Sequence, residues 1–367
     1  MRIAFIVNNY PPNIGGLELH VQALASTLHE QGHEPLVVAL GDKTETRNDD
    51  GVEVLVLPQR FKIGGLLGFP HFGTKRRLTR LLKARQIEVV SVHTRFFPMS
   101  YLGWRAARSL RIPVVHTEHG SDHVASNSPL IWIGSRMVDF TLGRAILRGA
   151  DRVLGVSEEV TAFVYRLAKV KAEVFYNAIL PVQRSSEPIV DRPERFVFVG
   201  RLVPGKGWDT FLETVARLRA EGLNVTGEVL GTGPDEVRAR QMVSDLHLVE
   251  AVAVRGRVSQ PEVRAALRGA TLVNPTVLSE GFQTTLLEAI AERGRVITYP
   301  IAGAETLRAE GEPVTISERR DVDSLCDTAR VFLAAPPALA RPELIDEWTW
   351  PVRAQQFSRV CSGLTAS

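Results

Sequence analysis

Two glutamates lie eight positions apart in the stretch LSEGFQTTLLEA, Leu278 to Ala289. Glu280 precedes a Gly-Phe turn, and Glu288 lies inside a helix that the pattern predicts to begin near Gln283. A helix N-terminus offers unpaired N–H groups and a partial positive charge, which suits a phosphate. Carboxylates on both sides of an anion site could accept hydrogen bonds from hydroxyl groups. The stretch therefore indicates a nucleotide-sugar, although a capping glutamate and a solvated helix glutamate would have the same spacing.

Two cations lie five positions apart on a glycine-rich turn in the stretch FVGRLVPGKG. Arg201 and Lys206 follow a predicted strand, where ligands of parallel sheets bind. Arginine can donate paired N–H groups to a diphosphate, and lysine can contribute a point charge. The turn is thus a candidate diphosphate clamp, and a solvated basic loop is the alternative.

Glycine and histidine residues follow predicted strands in the first half of the chain. Gly15-Gly16 precedes a predicted helix and could bring backbone N–H groups to a phosphate, although the stretch is not the dinucleotide motif GxGxxG. His119 lies just past the predicted strand IPVV, and His93 lies one βα unit earlier. Both histidines are candidate ligand contacts, and a structural role is the alternative for each.

The sequence gives little support for a metal. His116, His119 and His123 could form a zinc site by number, but no HExxH pattern or cysteine pair accompanies them. No Asp-x-Asp pair follows a strand in the way a metal–diphosphate site requires. The two cysteines, Cys326 and Cys361, are far apart, which favours a reducing cytoplasm. We therefore expect neither a metal nor a cofactor.

Alternating strand-like and helix-like runs must position these residues. The order strand, helix, strand predicts parallel sheets with helices on both faces, an α/β fold. The alternation stops at a polar, proline-containing stretch, Leu180 to Glu194, and then restarts. We expect a Rossmann-like domain over 1–180, a second over 181–350, and a C-terminal helix, 351–367, that packs back on the first. Two doubly wound domains in series would face a central cleft.

Length and composition agree with this organisation. A chain of 367 residues exceeds what one hydrophobic core usually serves, and 44% hydrophobic with 23% charged residues is ordinary for a globular protein. No apolar run reaches the roughly 18–20 residues of a membrane span. The first residues, MRIAFIV, are typical of a first strand and not of a signal peptide.

Positive charge is concentrated between Arg60 and Arg111, where twelve Lys or Arg residues stand against one acid, Glu88. Such a block suggests an anionic partner. Within it, TKRRLTRLLKARQ predicts a helix with leucines on one face and cations on the other, preceded by an apolar glycine-rich loop. An anionic membrane surface would suit this combination, and a solvated helix is the alternative. The predicted membrane contacts are Leu66, Leu67, Phe69, Lys75, Arg76, Arg77, Arg80 and Lys83.

Taken together, SEGFQTTLLEA and VGRLVPGKG at their separation, the NAI that ends the first half and the EWTW before the final helix resemble family-4 (GT4) retaining glycosyltransferases of the GT-B fold. The resemblance covers nearly the whole chain. Many relatives have EGFG or EGFP where this chain has Gln283, which leaves the sugar pocket open to difference.

The resemblance implies a role for each matching residue. It implies that Arg201 and Lys206 bind the donor diphosphate, and that Glu288 binds the ribose hydroxyls. Glu280 would bind the transferred sugar and His119 would lie near its anomeric carbon. The remaining donor contacts implied by the resemblance are Gly16, Gly281, Phe282, Gln283 and Thr284.

The same resemblance implies a reaction. A metal-independent hexosyltransferase would use a UDP- or GDP-linked sugar as substrate and retain the anomeric configuration by front-side attack. Catalysis would come from His119, Arg201, Lys206 and Glu280. The acceptor would be a glycan or a polyprenyl- or other lipid-linked molecule of bacterial cell-surface or glycolipid biosynthesis. The protein would then be cytoplasmic and peripheral on the inner face of the plasma membrane.

Three other classes remain as alternatives. A nucleotide-sugar epimerase of the same fold would convert its substrate without an acceptor. A nucleic-acid-binding protein would explain the basic segment, but no RNA-reading aromatic motif accompanies it, so we expect no nucleic-acid partner. An inactive scaffold would keep the fold without turnover.

Overall fold

The computed structural model describes residues 1–12, 15–63, 67–124, 128–181, 188–278, 281–341 and 343–365. The chain divides into two compact units. Unit 1 comprises Met1–Leu180 and Thr349–Ser367, and unit 2 comprises Pro181–Trp348. The predicted contacts Glu280 and Leu66 lie outside the described residues.

The sheet of unit 1 contains nine strands among the described residues, and its central strands are parallel. Their order is β3-β4-β2-β1-β6-β7-β8-β9, with β5 paired to β4. The strands are β1 (Arg2–Ile6), β2 (Glu34–Gly41), β3 (Glu45–Asp49), β4 (Val52–Ile63), β5 (Leu67–Pro70), β6 (Val89–His93), β7 (Val114–Glu118), β8 (Arg152–Gly155) and β9 (Glu173–Val174).

Helices connect these strands, and all of the described helices but the fourth bury residues in the core. In the second helix, Leu78 and Leu82 lie one turn apart and are fully buried in the core, as the sequence predicts. A π-helical turn, Asp139–Gly143, joins the fourth helix to the fifth. The helices are α1 (Gly16–Glu30), α2 (Thr74–Ala84), α3 (Pro98–Leu110), α4 (Pro129–Val138), α5 (Arg144–Gly149) and α6 (Glu158–Ala168).

Unit 2 repeats the doubly wound pattern with a fully parallel sheet over its described residues, in the order β12-β11-β10-β13-β14-β15. Its last α-helix is capped by Asp321, which precedes the helix and accepts the N–H of Ser324 through its side chain. The elements are β10 (Arg195–Val199), α7 (Trp208–Ala220), β11 (Thr226–Leu230), α8 (Glu236–Asp245), β12 (Val252–Gly256), α9 (Gln260–Leu267), β13 (Thr271–Asn274), α10 (Thr284–Ala291), β14 (Arg295–Thr298), α11 (Ala304–Ala309), β15 (Val314–Ile316), α12 (Val322–Ala334) and the 3₁₀ helix Leu344–Trp348.

The C-terminal helix α13 (Trp350–Thr365) belongs to unit 1. Phe357 is fully buried and stacks on Phe5 of β1, with ring centroids 5.9 Å apart. The N–H of Trp350 donates to the carbonyl of Ile179 over 3.0 Å. Burial of this apolar face explains why the last residues fold with the first strand.

The sheet of unit 1 departs from the predicted parallel pattern at one edge. Both β3 and β5 run antiparallel to β4. Part of the predicted glycine-rich loop is therefore a strand, and Phe61 and Phe69 stack across this hairpin with ring centroids 4.7 Å apart. Among the described residues no helix combines the length and the apolarity needed to span a bilayer.

Candidate functional site

Arg201 and Lys206 lie on the loop that follows β10 of unit 2. Arg201 is exposed and Lys206 is partly buried. Two glycines of this loop, Gly205 and Gly207, have φ angles of +80° and +94°, which side-chain-bearing residues rarely adopt. A Cβ on Gly207 would lie 2.3 Å from the carbonyl oxygen of Pro275. Only glycine therefore allows this loop to approach the loop after β13.

Three strand-end loops of unit 2 are joined by hydrogen bonds. Val277 donates its N–H to the carbonyl of Gly205 over 2.9 Å, which ties the loop after β13 to the loop after β10. On the other side, Leu202 donates its N–H to the carbonyl of Thr232 over 3.1 Å. A Cβ on Gly231 would lie 1.9 Å from the carbonyl oxygen of Gly200, so this approach also requires glycine. The loops after β10, β11 and β13 thus form one fixed surface.

The sequence interpretation missed the loop after β11. Its residues Gly231, Thr232 and Gly233 follow the strand directly, and a Cβ on Gly233 would lie 2.2 Å from the carbonyl oxygen of Leu202. The signal was available, because GTGP after an apolar strand indicates a close backbone approach.

The start of α10 is held by side chains that point into unit 2. Phe282 is buried and stacks on Trp348, with ring centroids 5.3 Å apart. The oxygen Oε1 of Gln283 accepts a hydrogen bond from Asn274 Nδ2 over 2.5 Å. Ligand contact at these positions would therefore come from backbone N–H groups of the first turn, which begins at Thr284.

Glu288 lies one turn into α10 and is partly buried. Its Oε1 accepts a hydrogen bond from Gln260 Nε2 over 2.6 Å. Burial raises the pKa of Glu288 to about 7, opposed by that hydrogen bond and by the charge of Arg264. The carboxylate therefore changes charge near neutral pH, where hydroxyl donors of a ligand would favour the ionised form.

In unit 1, His93 and His119 meet a third histidine, His20 of α1. We name these three residues the histidine cluster. His93 Nδ1 and His119 Nε2 lie 3.1 Å apart, and the ring of His20 meets that of His119 edge-on with centroids 4.7 Å apart. Burial lowers the pKa of His20 to about 4 and the pKa values of the other two well below their ordinary value. All three imidazoles are therefore neutral at physiological pH.

Hydrogen bonds fix the ring of His20. Its Nδ1 lies 2.8 Å from Asn177 Oδ1, an acceptor, so Nδ1 carries the proton. Its Nε2 is buried, without a hydrogen-bond partner among the described residues. Asn177 belongs to the NAI that ends the first half of the chain, so this sequence feature positions the histidine cluster.

The histidine cluster is the one grouping among the described residues with the spacing of a metal site. Its three ligand nitrogens lie within 4.8 Å of one another. A metal would have to replace the hydrogen bond between His93 and His119. The zinc grouping considered from the sequence does not form: His116 Nε2 lies 3.2 Å from Glu118 and His123 Nδ1 lies 2.5 Å from Asp139, two different carboxylates.

A buried ion-pair network holds the loop that carries His119. Arg95 donates to Glu118 Oε1 over 3.0 Å and to Asp139 Oδ1 over 2.8 Å, and all three side chains are fully buried. Glu118 Oε1 also accepts the N–H groups of His119 and Gly120 over 3.1 and 3.0 Å. The network thereby fixes the backbone on both sides of the His119 Cα.

The charges in this network are stable. Burial opposes ionisation of Glu118, but the Arg95 charge and hydrogen bonds from His116 and Gly120 outweigh it, and its pKa lies well below the ordinary value. The sequence interpretation counted Arg95 in the basic segment that suggests an anionic partner. This was wrong for Arg95, because two internal carboxylates already neutralise it.

Gly16 is the first residue of α1 and is exposed. A Cβ there would meet no described atom within 4 Å, so the described part of unit 1 does not itself require glycine at this position. Gly15 differs, because its Cβ would lie 2.4 Å from Glu18 Oε2. Open space at Gly16 leaves room for a ligand at the start of α1.

The predicted membrane-contacting residues divide between α2 and the neighbouring hairpin. Four cations of α2 are exposed and Lys75 is partly buried, opposite the buried leucines. Leu67 and Phe69 are partly buried in β5, whereas Phe72 is 92% exposed beneath the Arg60 guanidinium. The structure thus presents a basic helix face with one strongly exposed aromatic side chain nearby.

Comparison with known proteins decides the family. Residues 14–181 match the family model described as Glycosyltransferase Family 4, and residues 193–334 match the one described as Glycosyl transferases group 1. The chain belongs to the GT4 glycosyltransferases. The resemblance found in the sequence is confirmed, and the protein is a glycosyltransferase of the GT-B fold.

Two curated relatives illustrate the range of this family. The phosphatidylinositol N-acetylglucosaminyltransferase GPI3 subunit of Saccharomyces cerevisiae (strain YJM789) is 26% identical over 82% of this chain and 68% of its own length. A GDP-mannose-dependent alpha-(1-6)-phosphatidylinositol monomannoside mannosyltransferase of Mycolicibacterium smegmatis is 24% identical over 98% of this chain and 97% of its own length.

Solved structures agree on the fold. Sucrose-phosphate synthase from Thermosynechococcus elongatus superposes with a TM-score of 0.74 at 18% identity, over 100% of this chain and 99% of that chain. Anabaena HepE in complex with UDP superposes with a TM-score of 0.75 at 16% identity, over 99% of this chain and 100% of that chain. The predicted GT-B fold is confirmed.

Proposed function

We propose that this GT4 glycosyltransferase moves a sugar from a UDP- or GDP-linked donor to a lipid-linked acceptor, with retention of the anomeric configuration and without a metal. The observation that carries the proposal is the fixed surface of unit 2, where the loop bearing Arg201 and Lys206 is bonded to the loop preceding α10. Cations beside a helix N-terminus are suited to a diphosphate. HepE, a structural neighbour, was solved with UDP, which supports a nucleotide donor.

Five of the predicted residues receive individual roles within this proposal. Arg201 and Lys206 bind the diphosphate, together with the N–H groups that begin α10. Glu288 accepts hydrogen bonds from the ribose hydroxyls in its ionised form. Glu280 binds the transferred sugar, and His119 lies near the anomeric carbon.

The proposed chemistry is a front-side displacement at that carbon. The bond from the anomeric carbon to the diphosphate oxygen breaks, and a bond to the acceptor oxygen forms on the same face. The acceptor proton passes to the departing phosphate oxygen. Arg201, Lys206 and the helix N-terminus stabilise the charge that develops on the leaving group, which is the largest contribution such a site can make.

The proposed acceptor follows from the curated relatives and from the basic helix. The GPI3 subunit is named for phosphatidylinositol, and the mannosyltransferase is named for phosphatidylinositol monomannoside. The exposed cations of α2 would attract anionic lipid headgroups, worth about 1 kcal/mol for each cation near the surface. We therefore propose a peripheral protein on the inner face of the plasma membrane that acts on a lipid-linked glycan.

Calorimetric titration with UDP, GDP, ADP and their sugar conjugates tests the donor site. We expect one nucleotide to bind in the presence of EDTA, and the Lys206→Ala variant to bind it at least tenfold more weakly, since a charge-assisted hydrogen bond contributes about 1.5–3 kcal/mol. Arg293→Ala is the matched control, because Arg293 is exposed in the same unit but follows the opposite end of α10. Unchanged binding by the Lys206 variant would contradict the assigned role.

Turnover experiments test the proposed retention, the metal independence and the transfer to an acceptor. The anomeric proton of the product, measured by NMR with the donor identified above, distinguishes retention from inversion. Activity that is lost in EDTA and restored by a divalent ion would contradict the metal-independent mechanism. Release of the free sugar or of an epimer without an acceptor would favour the epimerase alternative.

A further inference from the structure

The helix α4 of unit 1 buries none of its ten residues, all of which the structure describes. Five large apolar side chains are exposed on it: Leu130, Ile131, Trp132, Ile133 and Met137. Leu130 is 83% exposed and Met137 is 63% exposed. A helix that is apolar on several faces is normally buried in a core or in a membrane.

The apolar surface continues past the helix. Phe140 and Leu142 of the π-helical turn are also exposed. We name residues 129–143 the apolar segment. Monomeric proteins rarely expose contiguous apolar surface of this kind, and where they do, it marks a contact with a partner or a membrane.

The charges around the apolar segment favour an anionic occupant. Residues 129–148 contain three arginines and a single acid, Asp139, which is fully buried against Arg95. The guanidinium of Arg136 lies 4.5 Å from the ring centre of Trp132, and that of Arg144 lies 4.5 Å from the ring centre of Phe140. Tryptophan beside arginine is typical of residues at the level of lipid headgroups.

The same charges disfavour a second copy of this chain as the occupant. A symmetric dimer would place the same patch of both copies face to face. Each patch would then bring its arginines toward the other, with no exposed acid in residues 129–148 to pair with them. Like charges brought together at an interface cost several kcal/mol.

The apolar segment is tied to the loop of His119. Asp139 lies in the segment and accepts from Arg95 Nε over 2.8 Å, and Arg95 Nη1 donates to Glu118 over 3.0 Å. Glu118 in turn accepts the N–H of His119. A contact made by the apolar segment therefore holds the His119 loop at a fixed distance from whatever surface it touches.

We propose that the apolar segment docks on the surface of an anionic bilayer, where a lipid-linked acceptor would lie. The inference rests on the proposed lipid-linked acceptor and deepens it, because it names the surface that meets the lipid. The apolar segment inserts its exposed side chains below the headgroups, and Arg136 and Arg144 remain at headgroup level. The basic face of α2 adds charge attraction without insertion.

Tryptophan fluorescence gives a direct reporter. Of the five tryptophans of the chain, Trp132 is 46% exposed and the other four are buried. Vesicles of equal parts phosphatidylglycerol and phosphatidylcholine should shift the emission of the full chain to shorter wavelength. The Trp132→Phe variant should bind the same vesicles with little shift.

Vesicle sedimentation measures the contribution of the segment. The double variant Leu130→Ser/Ile133→Ser should partition onto these vesicles at least tenfold more weakly, because two exposed apolar side chains lose their burial in lipid. The matched control is Val237→Ser/Val331→Ser, which removes two side chains of similar exposure from unit 2. The control should bind vesicles as the unmodified protein does.

Three results would overturn the proposal. One is equal partition of the segment variant and the control, and another is no partition of the unmodified protein. The third is a concentration-dependent dimer that the segment variant abolishes, which would assign the surface to a second copy. Nucleotide titration of the same samples tests the proposed function separately. A failure of donor binding would contradict the proposed function, and the vesicle result would still test the docking proposal.

Discussion

Replacing Glu118 by glutamine tests whether the buried network positions the His119 loop. Glu118 accepts from Arg95, His116, His119 and Gly120 through its two oxygens. Glutamine keeps one oxygen in the same place and exchanges the other for an NH₂ group. In either orientation the NH₂ group would face an N–H group of Arg95, because each oxygen of Glu118 accepts one. Two donors would then face each other, and at least one buried donor would lose its acceptor.

The expected cost is large because charge is lost as well. Arg95 would keep only Asp139 as a counterion in a fully buried position. Removing one partner of a buried ion pair costs about 3–5 kcal/mol when the other charge is left without compensation. Because Asp139 still pairs with Arg95, we expect a cost near the lower end of that range. That amount is comparable to a large share of the roughly 5–15 kcal/mol by which domains are stable. We therefore expect the unfolding transition of unit 1 to move strongly, and the transition of unit 2 to stay in place.

The measurement is urea unfolding, monitored with one spectroscopic signal from each unit. Glu53→Gln is the matched control in unit 1, because Glu53 also pairs with an arginine, Arg85, at 2.6 Å, but half of the Arg85 side chain is exposed. Surface pairs contribute about 0–1 kcal/mol. If Glu118→Gln costs no more than Glu53→Gln, the network does not hold the loop as argued.

Three further predictions concern protonation and close backbone approach. The folded pKa values of the histidine cluster lie below the unfolded value of 6.5, so unit 1 should lose stability as pH falls through 6.5. The loss should reach up to about 1.4 kcal/mol per pH unit for each imidazole, and urea unfolding at stepped pH measures it. The pKa of Glu288 is about 7 in the folded protein and 4.5 in the unfolded chain, so the stability of unit 2 should fall as pH rises from 4.5 through 7. Glu288→Gln should therefore stabilise unit 2 at about pH 8 and not at about pH 4. An effect that does not depend on pH would contradict this prediction. Gly207→Ala should destabilise unit 2 by more than Gly222→Ala does. Both glycines have positive φ, but only at Gly207 would the new Cβ lie against a carbonyl oxygen. Equal shifts of the thermal unfolding temperature in the two variants would refute this steric argument.

Much of the fold follows from local pattern. The alternation of strand-like and helix-like runs predicts the doubly wound order of both units, and the leucine spacing of α2 predicts which face is buried. The antiparallel strands β3 and β5 were missed because ETRND and LGFP carry no apolar alternation. Their pairing with β4 comes from backbone hydrogen bonds at a sheet edge, which composition does not reveal.

Side-chain environment was harder to predict than position. The sequence placed His119 at a strand end, but it could not show that His20 of α1 lies against it, because the two are brought together only by the packing of α1 on the sheet. It also counted Arg95 in the basic segment that suggests an anionic partner, although Arg95 is fully buried. The apolar segment was not identified, because an apolar run predicts burial and only the structure shows that α4 buries none of its residues.

The two units fix their loops by different physical means, and this has a consequence for how each can change. In unit 1, the His119 loop is held by full charges in a buried environment, so its geometry depends on those charges and tolerates no loss of a partner. In unit 2, the loops after β10, β11 and β13 are held by backbone hydrogen bonds at positions where glycine permits contact, so they are insensitive to pH but intolerant of any added Cβ. Substitutions should therefore cost far less folding stability at the exposed Arg201 than at Gly205 or Gly207. Substitutions around His119 must leave Arg95 and Glu118 in place if the loop is to keep its geometry.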